Sequence, residues 1–126
     1  MDTVDAMMDA MDKRRVVAAS AIQPAMRGLV DWLNDNGFRT TDSGDGVTNV
    51  AAGMEGALPF PHVVIRTEPQ YMVREAKRLL STLEEDHIAV YGVPGRSIEA
   101  TFSPVDGVAT IMLVGITGAD VPQRAA

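Results

Sequence analysis

The sequence contains no cysteine among its 126 residues. This absence excludes disulfide scaffolds and thiolate metal sites, and it suits a reducing compartment. Long apolar runs are missing as well, because the most apolar segment, residues 108–116, is far shorter than the roughly 20 residues that a bilayer-spanning helix needs. The first residues, MDTVD, have neither the basic nor the apolar region of a signal peptide. We therefore expect a cytoplasmic protein without a membrane segment.

Positive charge is also scarce. The chain has 11 Lys and Arg residues against 17 Asp and Glu residues, so its net charge is −6. Because such a balance repels phosphate backbones, we expect no nucleic-acid partner. An acidic surface can also mimic nucleic acid and occupy the basic groove of another protein, but most acidic domains simply use their charge to stay in solution.

Several motifs that carry known chemistry are absent. No Gly-Lys pair occurs, which excludes a phosphate-binding P-loop, and neither G-x-S-x-G nor H-E-x-x-H is present. An EF-hand register anchored on Gly46 would put Thr41 at the first ligand position and Ala52 at the bidentate one, so an EF-hand is excluded in this register. The sequence therefore predicts no cofactor, and it favours a non-enzyme.

The chain has enough apolar residues, 46%, for one folded domain with a core. We expect this domain to cover residues 1–117 and residues 118–126 to form a flexible C-terminal tail. Helical spacing of apolar residues predicts a first helix over residues 3–22 and a second over residues 25–36. Gly37 is expected to end the second helix, because glycine readily adopts the left-handed conformation found there.

After this helix, the sequence predicts a short extended piece over residues 38–41. The following residues up to Pro61 are rich in Gly, Ala and Pro, so we expect a long loop over residues 43–61. A connection of that length inside a compact domain is usually functional or poorly ordered.

The clearest helix lies in the second half of the chain. Thr67-Glu68-Pro69-Gln70 matches a capping box, which would start a helix that ends near Asp86. Helical spacing separates the two sides of this helix. The residues placed on the inner side are Met72, Val73, Ala76, Leu79, Leu80 and Leu83. Those placed on the outer side are Arg74, Glu75, Lys77 and Arg78.

Strands flank this helix on both sides. β-branched residues predict a strand over residues 62–67, and a hairpin is expected over residues 98–103 and 108–116. The resulting order, α-β-β-α-β-β, indicates a small α+β fold, in which a mainly antiparallel sheet has its helices packed on one face.

Period-two alternation separates the two faces of this sheet. The side chains predicted to face the helices are Val63, Ile65, Ile98, Ala100 and Phe102. Those predicted to point away are His62, Val64, Arg66, Glu99, Thr101 and Ser103. Residues 111–114, Ile-Met-Leu-Val, are apolar on both sides, and a strand of that kind needs a cover on each face. We therefore expect a homodimer whose interface includes the last strand or the first helix.

Residues 40–49, TTDSGDGVTN, allow two interpretations. In the first, Asp42 and Asp45 cap turn amides while Gly44 and Gly46 supply positive φ angles. In the second, the two carboxylates and His62 form a ligand or metal site. The candidate ligand-binding residues of this second interpretation are Asp42, Ser43, Asp45, His62, Arg66 and Glu99. The identity of any metal is left open.

Residues 37–46, GFRTTDSGDG, follow a Trp-Leu-Asn helix end and precede a Pro-His-Val strand. This arrangement resembles small phage-encoded accessory proteins of unassigned function. The resemblance implies a small host-cytoplasmic protein that acts on host machinery, and it carries no active-site residues over to this chain.

Two functional hypotheses follow from the sequence. The first is a non-catalytic binding or inhibitory module that acts through a protein interface. The second is a small-ligand- or metal-binding protein, or a small hydrolase, that uses the Asp42/Asp45 loop together with His62.

Overall fold

The computed structural model describes residues 22–122. The elements are, in chain order, α1 (Pro24–Asp35), β1 (Thr40–Gly44), a short α2 (Thr48–Ala51), β2 (His62–Thr67), α3 (Met72–Glu85), β3 (Ser97–Ser103) and β4 (Val108–Val114). Two 3-10 turns, Pro69–Tyr71 and Gly118–Asp120, complete the list. The helix predicted over residues 3–22 lies outside the described residues, apart from its last position.

The four strands form one antiparallel sheet in the order β1-β2-β4-β3, which confirms the predicted α+β class. Helices α1 and α3 share a single core with β2 and β4. Its largest fully buried side chains include Met26, Leu29, Leu33, Ile65, Leu79, Leu83, Ile111 and Leu113. Since each such side chain contributes roughly 1.5–3 kcal/mol on burial, this one-sided core stabilises the fold.

The strand register confirms the predicted alternation. Val63 pairs with Leu113, and Leu113 pairs in turn with Ile98, so these three side chains lie on the same face of the sheet as the core. Phe102 belongs to that face too, but it lies near the end of edge strand β3 and remains 46% exposed.

The segment predicted as a long loop is more ordered than expected. β1 continues to Gly44 instead of ending at Thr41, because residues 42–44 pair with residues 62–64 of β2. Helix α2 then occupies four residues of the segment. The loop prediction was wrong here because strand pairing, which is a tertiary effect, overrides the local turn preference of Asp and Gly.

The start of α3 also differs from the prediction. The capping box does not form, because Thr67 is the last residue of β2 and α3 begins only at Met72. The intervening 3-10 turn is closed by a hydrogen bond from the Tyr71 N–H to the Glu68 carbonyl. The Gln70 side-chain amide donates to the Glu68 carboxylate rather than capping a helix.

The C-terminal end of α1 is joined to the middle of α3. Arg78 of α3 donates to the carbonyls of Asn36 (2.7 Å) and Gly37 (3.2 Å), where α1 ends. Its guanidinium also stacks 3.8 Å from the centre of the Phe38 ring. The prediction that Arg78 lies on the outer side is therefore wrong, since this side chain satisfies carbonyls that the end of a helix leaves without partners.

A second bond ties the helices in the opposite direction. The Trp32 indole of α1 donates to the carboxylate of Asp86, the C-cap of α3, over 2.8 Å. Trp32 is only 7% exposed, so it is a core residue with its polar atom satisfied.

Both helices end in the same backbone motif. After α1, Gly37 has φ +81°, and Phe38 donates to the Leu33 carbonyl, as predicted for a glycine-closed end. After α3, His87 takes the glycine position with φ +58°, the one positive φ among the non-glycine residues that the structure describes.

Ordered structure extends beyond the domain boundary predicted at residue 117. Thr117 and Asp120 form a reciprocal capping box around the last 3-10 turn. Gly118 is buried against α1, and Val121 is 5% exposed. Asp120 forms an ion pair with Arg96, with 2.9 Å between Nη2 and Oδ1. The packed chain therefore includes residues 118–121, and residues 123–126 lie outside the described range.

We predict that Arg78→Ala destabilises the protein by about 1–2 kcal/mol, because it removes two charged hydrogen bonds and a ring contact between α1 and α3. Urea unfolding followed by circular dichroism measures the change. Lys77→Ala is the matched control on the exposed side of the same helix and should cost less than about 0.5 kcal/mol. Equal costs at the two positions would contradict the role given to Arg78.

We also predict that His87→Gly raises the free energy of unfolding by about 1 kcal/mol. A side chain at φ +58° carries a steric cost that glycine does not have. Thermal unfolding of the two proteins at one pH tests this, and a lower melting temperature for His87→Gly would show that the imidazole makes a stabilising contact.

Candidate functional site

The six candidate residues do not converge on one site. Asp42, Ser43, Asp45 and His62 line one cavity of about 320 Å³ beneath the loop that follows α2. Arg66 lies at the far end of β2 and lines a larger cleft. Glu99 is on edge strand β3, where it pairs with Met112 and not with any of the other five.

Asp45 is engaged by the start of α2. One carboxylate oxygen accepts from the backbone N–H groups of Val47 (2.9 Å) and Thr48 (2.8 Å), and the other accepts from the Thr48 hydroxyl. The Thr48 side chain, followed by these backbone groups, holds the pKa of the Asp45 carboxyl below its ordinary value. These bonds match the turn interpretation for Asp45.

The turn interpretation holds only in part for Asp42, Gly44 and Gly46. Asp42 lies within β1, where its carboxylate accepts from the next N–H, that of Ser43 (2.9 Å). Gly46 has φ +82°, and a Cβ there would lie 2.6 Å from the backbone of Phe60. Gly44 is a strand residue without positive φ, so its role is a different one.

Gly44 makes room for His62. The two residues pair across β1 and β2, and a Cβ on Gly44 would lie 2.6 Å from Cε1 of the imidazole. His62 is 7% exposed, and its Nδ1 lies 3.1 Å from the Phe60 carbonyl. Because a carbonyl only accepts, Nδ1 must carry the proton of this bond, which leaves Nε2 as the acceptor of the neutral ring.

Within residues 22–122, no three His, Asp or Glu side chains are arranged to hold a metal ion. The two-carboxylate, one-imidazole metal site considered above is therefore not assembled, because Asp45 turns its carboxylate to α2 and Asp42 turns its own to Ser43. What the cavity offers is the Ser43 side chain, the edge of His62 and the surrounding loop. Small-ligand binding there stays a prediction.

A second feature is the sheet face opposite the helices, which we call the open face. It consists of the side chains of Asp42, His62, Val64, Arg66, Ser97, Glu99, Thr101, Ser103, Val108, Thr110, Met112 and Val114, as the register shows. One row crosses all four strands, from Asp42 through Val64 and Met112 to Glu99. Its centre is apolar and half-buried, and its two ends are exposed carboxylates.

The third feature is the larger cleft, of about 670 Å³, at the end of the sheet where β2 leads into α3. Three arginines line it: Arg39, Arg66 and Arg74. Only Arg66 was a candidate from the sequence. The other two could not be found there, because the three are far apart in the chain and belong to no shared motif.

Comparison of the chain with protein-family models, curated proteins and solved structures gives no match. In the part of the chain that the structure describes, no helix is long and apolar enough to cross a bilayer. The cavity, the open face and the cleft are the features of the described residues from which a function can be inferred.

We predict that the pKa of Asp45 in the folded protein lies below the ordinary value of an aspartate. A folded-state pKa below the unfolded value means that the ionised carboxylate stabilises the fold above the unfolded pKa, and that this contribution is lost as the pH falls through the folded pKa. Carboxyl NMR titration measures the midpoint. Thr48→Val removes the hydroxyl bond and should move the midpoint upwards, whereas Ser43→Ala, which leaves all three bonds in place, should not. An unchanged midpoint in Thr48→Val would refute the assignment.

Proposed function

We propose that this protein is a small non-catalytic binding or inhibitory module that acts through a protein interface on the open face of its sheet. The observation that carries the proposal is that the described helices cover only one face of the sheet. Ile111 and Leu113 of β4 are completely buried under the helices, while Met112 faces the other way, where no described helix covers it. Met112 and its neighbour Val64 form a half-buried apolar strip at the centre of the open face. An apolar strip at the centre of a sheet face is typical of a surface that packs against another molecule.

The partner that best fits this face is a second copy of the chain. Two sheets of equal size pack face to face in β-sandwiches, with apolar side chains interdigitating at the centre. The open face also carries both signs of charge around its apolar strip. Asp42 and Glu99 are negative, and Arg66 is positive. A two-fold interface repeats the same patch on both sides, so a patch with both signs can pair with itself where a patch of one sign would repel.

The Asp45 carboxylate is used for structure, because it accepts from the backbone N–H groups at the start of α2. This engagement of Asp45 supports a binding role over hydrolysis. We further propose that the protein works in the cytoplasm as an accessory protein of the phage-encoded kind, and that it occupies a surface of its partner rather than altering it chemically.

We predict that wild-type protein has the mass of a dimer by light scattering at micromolar concentration and that Met112→Glu has the mass of a monomer. The substitution places a charge at the centre of the strip, where pairing would desolvate it. Val105→Glu adds the same charge to a loop residue that is 95% exposed, and it should remain dimeric.

Circular dichroism of both variants checks that the fold is kept. A wild-type monomer over the whole concentration range would refute self-association through this face, as would equal dissociation of the two variants.

A further inference from the structure

The cleft at the end of the sheet concentrates positive charge in an acidic protein. Residues 22–122 contain seven Lys and Arg residues, and three of them, Arg39, Arg66 and Arg74, line this one cleft. The backbone holds two of them together, because the Arg66 N–H donates to the Arg39 carbonyl over 2.9 Å. The third lies on the first turn of α3, where its guanidinium is 5.9 Å from the centre of the Tyr71 ring.

Unlike these three arginines, two others form ion pairs with carboxylates of the protein. Arg78 pairs with Glu75 at 3.0 Å and Arg96 pairs with Asp120 at 2.9 Å, and these are the ion pairs found within the described residues. Arg39, Arg66 and Arg74 are all exposed, and no carboxylate of residues 22–122 forms a salt bridge with any of them. The charge of Arg39 and Arg74 is therefore available to a ligand, whereas Arg66 also interacts electrostatically with Asp106.

The acidic residues of the cleft are held elsewhere. The Glu75 carboxylate receives two hydrogen bonds from Arg78, at 3.2 and 3.0 Å. The Glu68 carboxylate accepts from the Gln70 amide at 2.9 Å. Near Arg66, the Asp106 carboxylate accepts from the Val108 N–H at 3.2 Å. Hydrogen bonds from Ser103 and Val108, with a smaller contribution from Arg66, lower the pKa of this carboxyl. Glu75 is thus paired with a cation outside the cleft, whereas Glu68 and Asp106 keep their negative charge.

We propose that this cleft binds a small organic molecule that carries a phosphate group. A phosphate dianion matches three guanidiniums better than a single carboxylate does, because it brings more charge and more acceptor oxygens, and arginine binds such oxygens in a two-pronged geometry. The cleft volume of about 670 Å³ is in the range of small-molecule sites, so it has room for more than the phosphate. The Tyr71 ring, 45% exposed, provides a surface for a sugar or a ring of the ligand.

Isothermal titration with ribose 5-phosphate, adenosine monophosphate and adenosine, at constant ionic strength, tests the proposal. We expect both phosphate compounds to bind saturably and adenosine not to bind. Arg39→Gln and Arg74→Gln should each weaken phosphate binding by about tenfold or more, because each removes a charge-assisted pair. Lys77→Gln removes an exposed charge from α3 outside the cleft, and it should leave the affinity within about twofold of wild type.

The site would be refuted by the absence of saturable binding at millimolar phosphate ester, by an equal loss of affinity in Lys77→Gln, or by adenosine binding as tightly as its phosphate. Neither Arg39 nor Arg74 belongs to the open face, so these two substitutions leave the residues of the proposed interface unchanged. Thermal unfolding of each variant without ligand confirms that a lost affinity is not a lost fold.

Discussion

The reciprocal tie between α1 and α3 is the interaction from which the rest of the architecture follows. Arg78 closes the end of α1 through the Asn36 and Gly37 carbonyls, and Trp32 reaches the end of α3 through Asp86. Each helix thus satisfies a polar group at the end of the other while their apolar sides share one core. Both helices are thereby held on the same face of the sheet, and the chemistry of the other face and of the sheet ends is left to residues that the core does not use.

The strand order then decides which distant residues meet. Because β1 pairs with β2, Gly44 and His62 become neighbours, and the imidazole can lie where any larger residue at position 44 would collide with it. Because β4 lies between β2 and β3, the most apolar strand is central, so its second face must be the middle of the open face. At the edge of the sheet, this strand would also have left backbone N–H and C=O groups unpaired.

The features that depend on local periodicity could be predicted from the sequence, and those that depend on contacts between distant residues could not. Period-two alternation correctly placed Val63 and Ile65 under the helices, and the conformational freedom of glycine predicted that Gly37 ends α1. Arg78 was misplaced, since helical spacing does not reveal a neighbouring helix end that needs a donor. Likewise, β1 exists because β2 offers it a partner, and the arginine cleft unites residues from three separate elements. In the Asp42–Gly46 segment, capping by Asp45 could be anticipated, whereas the fit of Gly44 to His62 required the pairing.

Arg66 connects the two surfaces for which roles are proposed. Its position on β2 makes it part of the open face, and its side chain also lines the cleft. A phosphate bound in the cleft would neutralise the one cation among Asp42, Arg66 and Glu99, and the open face would become more acidic. Two copies of that face would then repel one another. Because linkage is reciprocal, self-association through Arg66 would weaken phosphate binding by the same factor. If both proposals hold, a ligand at the end of the sheet has a direct electrostatic route to the proposed interface, without any change in backbone conformation.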